Sequence, residues 1–211
     1  MTHAQYRNLT FGLLAVWFVF SLTASAFHLF VATPGQPPLP ILLSVVVPIG
    51  AFLIWMASSP AFRRFVFSLD PRALTMMHTG RLAGFTFLVL YSYGILPGLF
   101  ALPAGWGDVA IGASAPFVAL MLASPNHRSS FLLWQALGML DLVVALSTGA
   151  LTAVLSPIGS APFPMAVLPL SLIPTFGVPV FLILHIICIA QARTWSESSY
   201  PAVRPSLFPA A

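Results

Sequence analysis

Charge is what this sequence has least of: eight Lys+Arg and four Asp+Glu make up 6% of its 211 residues, against roughly 25% in ordinary soluble domains. That scarcity excludes a typical water-soluble domain. Lysine is absent, all eight basic side chains being arginine, which excludes the lysine Schiff bases of retinal and pyridoxal chemistry. The formal net charge of +4 comes from isolated arginines. They cannot form the dense basic footprint that a phosphate backbone requires, so no nucleic-acid partner is expected. Cysteine is nearly missing as well. A lone Cys188 excludes an internal disulfide, a C-x-x-C redox pair and covalent haem attachment.

What is present is apolar sequence, 59% of the chain. It falls into six runs, near 9–32, 39–58, 82–102, 106–123, 131–155 and 165–191. Each is long enough to cross a hydrocarbon layer of ~30 Å, which takes about 20 helical residues. The expected fold is therefore all-α: a polytopic transmembrane bundle of six spans over 1–192, with a polar Pro- and Ser-containing tail over 193–211. Uncharged, turn-like segments separate half of the runs: TPGQPP at 33–38, PAG at 103–105 and SPIGSAPFP at 156–164 read as tight hairpins. Every arginine then lies on the other side: Arg7 before span 1, Arg63, Arg64, Arg72 and Arg81 between spans 2 and 3, Arg128 between spans 4 and 5, and Arg193 and Arg204 after span 6. By the positive-inside rule both termini are expected in the cytoplasm, with the lipid bilayer as the main partner. Arg7, the run after it and Ala24-Ser25-Ala26 mimic a cleavable signal peptide, but the apolar stretch to Ala32 is too long for one, so span 1 is expected to be retained. In the longest loop, Asp70-Pro71 predicts a helix start, aspartate as N-cap and proline at the first helical position, with Gly80 a kink before span 3.

An ionisable group inside a span costs roughly 2.5–3.5 kcal/mol on insertion scales, so those present should face inward and find partners. Helical spacing puts Ser21, Ala24, Ser25 and His28 on one small, polar stripe of span 1. The same spacing aligns Arg81, Gly84, Leu88 and Tyr91; Asp108, Gly112, Ala115 and Ala119; and Trp134, Gly138, Asp141 and Ala145. Counting ~1.5 Å per residue from the arginine-rich end puts His185 at about 9 Å, Asp141 and Tyr91 at about 15 Å, Asp108 at about 22 Å and His28 at about 28 Å. Read this way, the polar groups are strung through the bilayer. His28 and Asp108 stand at the outer mouth, Tyr91 and Asp141 at mid-depth, and His185, His78 and Arg81 inside, as candidates for a proton or small-polar-solute path. The alternative is architectural: Arg81 or His185 pairs with Asp141 to fix helix packing, and Asp108 caps the start of span 4.

Histidines on neighbouring spans also invite a b-type haem, but His28 and His185 stand about 19 Å apart in depth on this count. They cannot share an iron, and the same spread disfavours zinc, so no cofactor or metal is expected. Pro169, Pro174 and Pro179 interrupt span 6 and free the carbonyls of Met165, Leu170 and Thr175, which suggests a discontinuous helix near His185.

Asp70-Pro71, Arg81-x-x-Gly84, Gly94-x-Leu96-Pro97, the stretch Phe100 to Asp108, Trp134-x-x-x-Gly138-x-x-Asp141 and Pro174 to Pro179 with His185 form a recognisable set. From Asp70 to His185 the chain resembles a family of small, functionally uncharacterised bacterial multi-span integral membrane proteins. The resemblance implies a bacterial inner-membrane location and carries no activity with it. The expected function is a small transporter or permease-like protein using Asp141 and His185. The alternatives are a redox protein with non-covalent haem on His185 and an assembly subunit without a solute path. No nucleophile, base and orienting acid fall at one depth, which argues against a membrane hydrolase. A homo-oligomer is left open.

Overall fold

Long apolar runs satisfy their backbone within their own helix when water is excluded, and these runs do so. The computed structural model describes residues 2–157, 159–161 and 163–195, and among them it is all-helical. In chain order the elements are α1 (His3–Ala26), α2 (Leu39–Ser58), α3 (Pro60–Phe67), α4 (Pro71–Met76), α5 (Phe85–Ser92), α6 (Gly98–Phe117), α7 (Arg128–Leu155) and α8 (Val178–Arg193). Irregular turns prolong several of them. A 3₁₀ segment, Met77–Gly84, joins α4 to α5; a π turn, Val118–Leu122, ends α6; and another, Ile173–Gly177, precedes α8. Six of the resulting rods are long and apolar enough to cross a membrane: His3–Ala26, Leu39–Ser58, Pro71–Ser92, Gly98–Leu122, Pro125–Leu155 and Ile173–Arg193.

The number of rods agrees with the sequence reading, but several boundaries do not: the first rod spans His3–Ala26 rather than 9–32. The third rod starts at Pro71 rather than Leu82, because Asp70 caps it as expected, its carboxylate accepting the Arg72 N–H at 2.9 Å. The fourth starts at Gly98 rather than Trp106. Pro103-Ala-Gly105 is not a hairpin but lies within α6. The turn between the two rods is instead Tyr93–Pro97, where Gly94 takes φ +68° and the Ile95 and Gly94 N–H groups bond the carbonyls of Leu90 and Tyr91. This is a Schellman C-cap, for which glycine is the usual residue. His28 fills the same role after α1, at φ 57°, with the Leu29 N–H on the Ala24 carbonyl. The sixth rod starts at Ile173 rather than Met165.

α8 forms the centre of the bundle: its most apolar window is 50% buried, against 17% for α1 and 11% for α2. α7, α2, α4 and α3 pack around it, while α6 lies closest to the 3₁₀ segment, α5 and α7. Small residues permit that approach; a Cβ on Gly112 would come within 2.7 Å of the Leu82 backbone nitrogen. As the spacing predicts, Ser21, Ala24 and Ser25 of α1 are buried, facing the start of the last rod. There the Ser171 hydroxyl donates to Ser25 Oγ at 2.8 Å. The Ser21 hydroxyl donates at 3.4 Å to the Thr175 carbonyl, the group that Pro179 cannot serve.

Arg7, Arg63, Arg64, Arg72, Arg128 and Arg193 gather at one end. That end is tied together by His3 Nε2 to Ser68 Oγ (3.0 Å), by Tyr6 stacked on Phe65, by Gln191 donating to the Val66 and Leu69 carbonyls, and by Arg128 donating to the Ala192 carbonyl at 2.9 Å. Arg128 thus places a cation on the C-terminal carbonyls of α8, where the helix dipole favours it. Arg204 and most of the 193–211 tail lie outside the described residues.

Candidate functional site

With the true boundaries in place, Arg81, Asp108, Asp141 and His185 each fall within a turn of the midpoint of their rods. They are not strung through the thickness; they meet at one level. Arg81, 2% exposed, is the hub. Its Nε–H donates to Asp108 Oδ1 at 2.7 Å and its Nη2 to Asp141 Oδ2, forming two ion pairs from one guanidinium. Nη1 donates to the Gly138 carbonyl at 3.1 Å and faces His185 Nε2 at 3.4 Å. One arginine therefore ties the 3₁₀ segment to α6, α7 and α8.

The network continues beyond it. His185 Nδ1 bonds Gln135 Oε1, Gln135 Nε2 donates to Thr75 Oγ1 at 3.2 Å, and the Thr75 hydroxyl donates to the Pro71 carbonyl at 2.7 Å. Each donor in this chain has one acceptor if His185 carries its proton on Nδ1 and offers the Nε2 lone pair to Arg81. His78 stacks on His185 with ring centroids 3.9 Å apart and is flanked by Trp134 and Phe181. It is fully buried, and neither ring nitrogen has a hydrogen-bond partner among the described residues.

Of the seven candidates from sequence, the structure brings five together: Arg81, Asp108, Asp141, His185 and His78. Two stand apart. Tyr91 is 43% exposed near the end of α5, against Gly98. His28 is an exposed helix cap, its side chain outside the cluster. The reading of Asp108 as a cap of its helix fails, since α6 begins at Gly98. Arg81 belongs to no loop. Gln135 and Thr75 were missed, although a glutamine within an apolar run, one turn from Gly138, is itself a sign of a buried polar contact.

Asp108 also opens outward. Among the described residues it is the one charged side chain lining a cleft of about 560 Å³, open mouth included, between α2, α6, α7 and the segment leading into α8. Pro38, Ile41 and Phe163 link this cleft to a smaller hollow beside Thr33 and Ser156, at the end opposite the arginines. Towards the arginine-rich end, the aromatic stack of His78, His185 and Trp134 lies beneath the charged cluster. Both His185 nitrogens face protein partners and one ring face is covered, so the haem alternative has no free axial ligand there. No group of three or more His, Cys, Asp or Glu side chains with metal-binding geometry occurs among the described residues.

Fold and site together define an all-helical protein with six apolar rods, four of which contribute side chains to an Arg–Asp–Asp–His cluster at mid-bundle. The chain belongs to the family described as Domain of unknown function (DUF8737), whose model matches residues 37–193. No curated protein and no solved structure matches it. The matched stretch begins just before α2 and ends with α8, so it holds the whole charged cluster, while α1 lies outside it.

Proposed function

We propose that this chain is a multi-pass membrane protein of permease type, in which a proton or small polar solute moves past the Arg81–Asp108–Asp141–His185 cluster. Six long apolar rods support the membrane reading. The gathering of six arginines at one end supports an orientation with that end, including the start of α1 and the end of α8, in the cytoplasm of a bacterial inner membrane. The observation that carries the functional reading is the double position of Asp108: it is ion-paired at mid-bundle and also lines a cleft reaching towards the outer end. Two carboxylates share one guanidinium, a second acid that a dry one-to-one packing lock would not require.

A second reading, an assembly subunit in which Arg81 merely fastens four helical segments, draws on the same ion pairs. Proteoliposomes with a trapped pH dye separate the two. Under an imposed potential, the parent protein should acidify the lumen faster than protein-free vesicles, and Asp108→Asn and Asp141→Asn should lower that rate by an order of magnitude at equal incorporation. A parent rate equal to that of empty vesicles, or variants that conduct like the parent, would overturn the passage reading.

A further inference from the structure

The cleft beside Asp108 has a composition that selects a ligand. Its walls are aliphatic and aromatic, Phe87, Phe100 and Phe163 forming a continuous series of ring contacts at 5.3 and 5.6 Å, and Leu142, Leu146 and Val178 lining the rest. Among the described residues, the only charged group it meets is the Asp108 carboxylate.

We infer that this cleft binds a monovalent organic cation with an apolar body, of the alkylammonium class; the inference shares with the proposed function the role of Asp108 as the group facing the path. Three observations fix the chemistry. First, Asp108 and Asp141 share one guanidinium, so two carboxylates have a single counter-cation among the described residues. Second, Asp108 Oδ1 takes the Arg81 Nε–H, but no donor among the described residues reaches its Oδ2. An ammonium group supplies both the missing charge and the missing donors, whereas an alcohol supplies only a donor and a carboxylate repels. Third, the apolar walls exclude a bare metal cation. Hard cations need several oxygen ligands, and here the lining offers one carboxylate. Hydrocarbon walls suit the tail of an amphipathic amine, and aromatic faces near its head favour positive charge.

The test uses the full-length protein in lipid nanodiscs with octylammonium as probe, and octanol and octanoate as its neutral and anionic counterparts. Binding is read by displacement of a dansyl alkylamine and by the temperature at which the buried Cys188, the only thiol in the chain, becomes reactive. Octylammonium should displace the dye and raise that temperature, while octanol and octanoate should do neither at equal concentration. Asp108→Asn should weaken octylammonium binding about ten- to hundredfold, the value of one charge-assisted hydrogen bond. Ala145→Phe, which narrows the cleft without touching Asp108, should do the same. Equal responses to octylammonium and octanol, or a response that survives Asp108→Asn, would overturn the inference and identify the cleft as a lipid-tail groove. Selective binding without proton flux would sink the passage reading alone, and flux without cation selectivity would sink this one alone.

Discussion

Replacing Arg81 by methionine keeps most of the side-chain volume and removes the charge that two aspartates share. Asp108 and Asp141 would then face each other's field with no counter-charge, and the Gly138 carbonyl would lose a donor. Removing one member of a buried charge set costs about 3–5 kcal/mol. At roughly 2–4 °C per kcal/mol for a chain of this length, the unfolding midpoint should fall by roughly 6–20 °C. The chain contains its own reporter: Cys188, the only cysteine, is fully buried, so a thiol-reactive fluorophore labels it only on unfolding. The companion variant Arg81→Met/Asp108→Leu/Asp141→Leu carries neither charge nor unpaired polar groups at the site. Because apolar replacements of a complete buried ion set are often neutral or stabilising, it should recover the parent midpoint. If Arg81→Met unfolds within 2 °C of the parent, a margin about that of 1 kcal/mol, or if the uncharged triple variant is no more stable than the single one, the ion pairs are not what holds these helices in register.

Three further outcomes follow from individual contacts. At Gly138, a Cβ would fall on the His185 ring, so Gly138→Ala should cost about 1–3 kcal/mol by overpacking and lower the same midpoint. Ser21→Ala removes the donor to the Thr175 carbonyl and should cost about 0.5–1.5 kcal/mol. Pro179→Ala in that background returns a backbone N–H and should restore part of the loss, so a double-mutant cycle with no coupling would refute the pairing. Finally, a cysteine placed at the exposed Arg63 should react with a membrane-impermeant maleimide only in inverted vesicles; labelling in right-side-out cells would reverse the orientation.

The sequence disclosed more of the fold than of the site, and the same residues explain both. Helices with unbroken hydropathy, α2 and α7 among them, could be read within a few residues. The third rod could not, because His78, Thr79, Gly80 and Arg81 interrupt its apolar run. The cluster therefore hides its own span: buried polar groups make the segment that carries them look like a loop. That misplacement moved Arg81 to the edge. Taking Pro103-Ala-Gly105 as a turn then moved Asp108 to the opposite edge, and groups that touch were read as separated. Face assignments survived where the helix runs on unbroken, because they depend only on spacing, and failed at His28, where α1 has ended, and at Tyr91, beyond the 3₁₀ segment, both of which are exposed. Ser21 with Ser25, Gly112 with Ala115 and Trp134 with Gly138 are all buried as their periodicity predicts. Depth failed because it depends on where counting starts.

Winding explains why so much meets at Arg81. An α-helix turns 3.6 residues per cycle, so residues three apart drift around its surface, whereas in a 3₁₀ helix they eclipse. Within the 3₁₀ segment the buried residues are His78, Arg81 and Gly84, three apart on one line. His78 stacks on His185, Arg81 holds both aspartates, and at Gly84 a side chain would collide with Asp108. Re-winding the segment as α would pull one of these off the shared face. Gly80 tests this, because a Cβ there meets only the Phe181 ring at 3.6 Å, an ordinary contact. Gly50, in α2, has nothing within 4 Å of an added Cβ. In α2, which is α-wound throughout although Pro48 lies within it, Gly50→Ala should stabilise by about 0.5–1 kcal/mol. Gly80→Ala, equally free of clashes, should give none of that gain, since the alanine favours the winding the site forbids. Equal rises in the Cys188 labelling midpoint for the two variants would show that the tighter winding has no part in assembling the cluster.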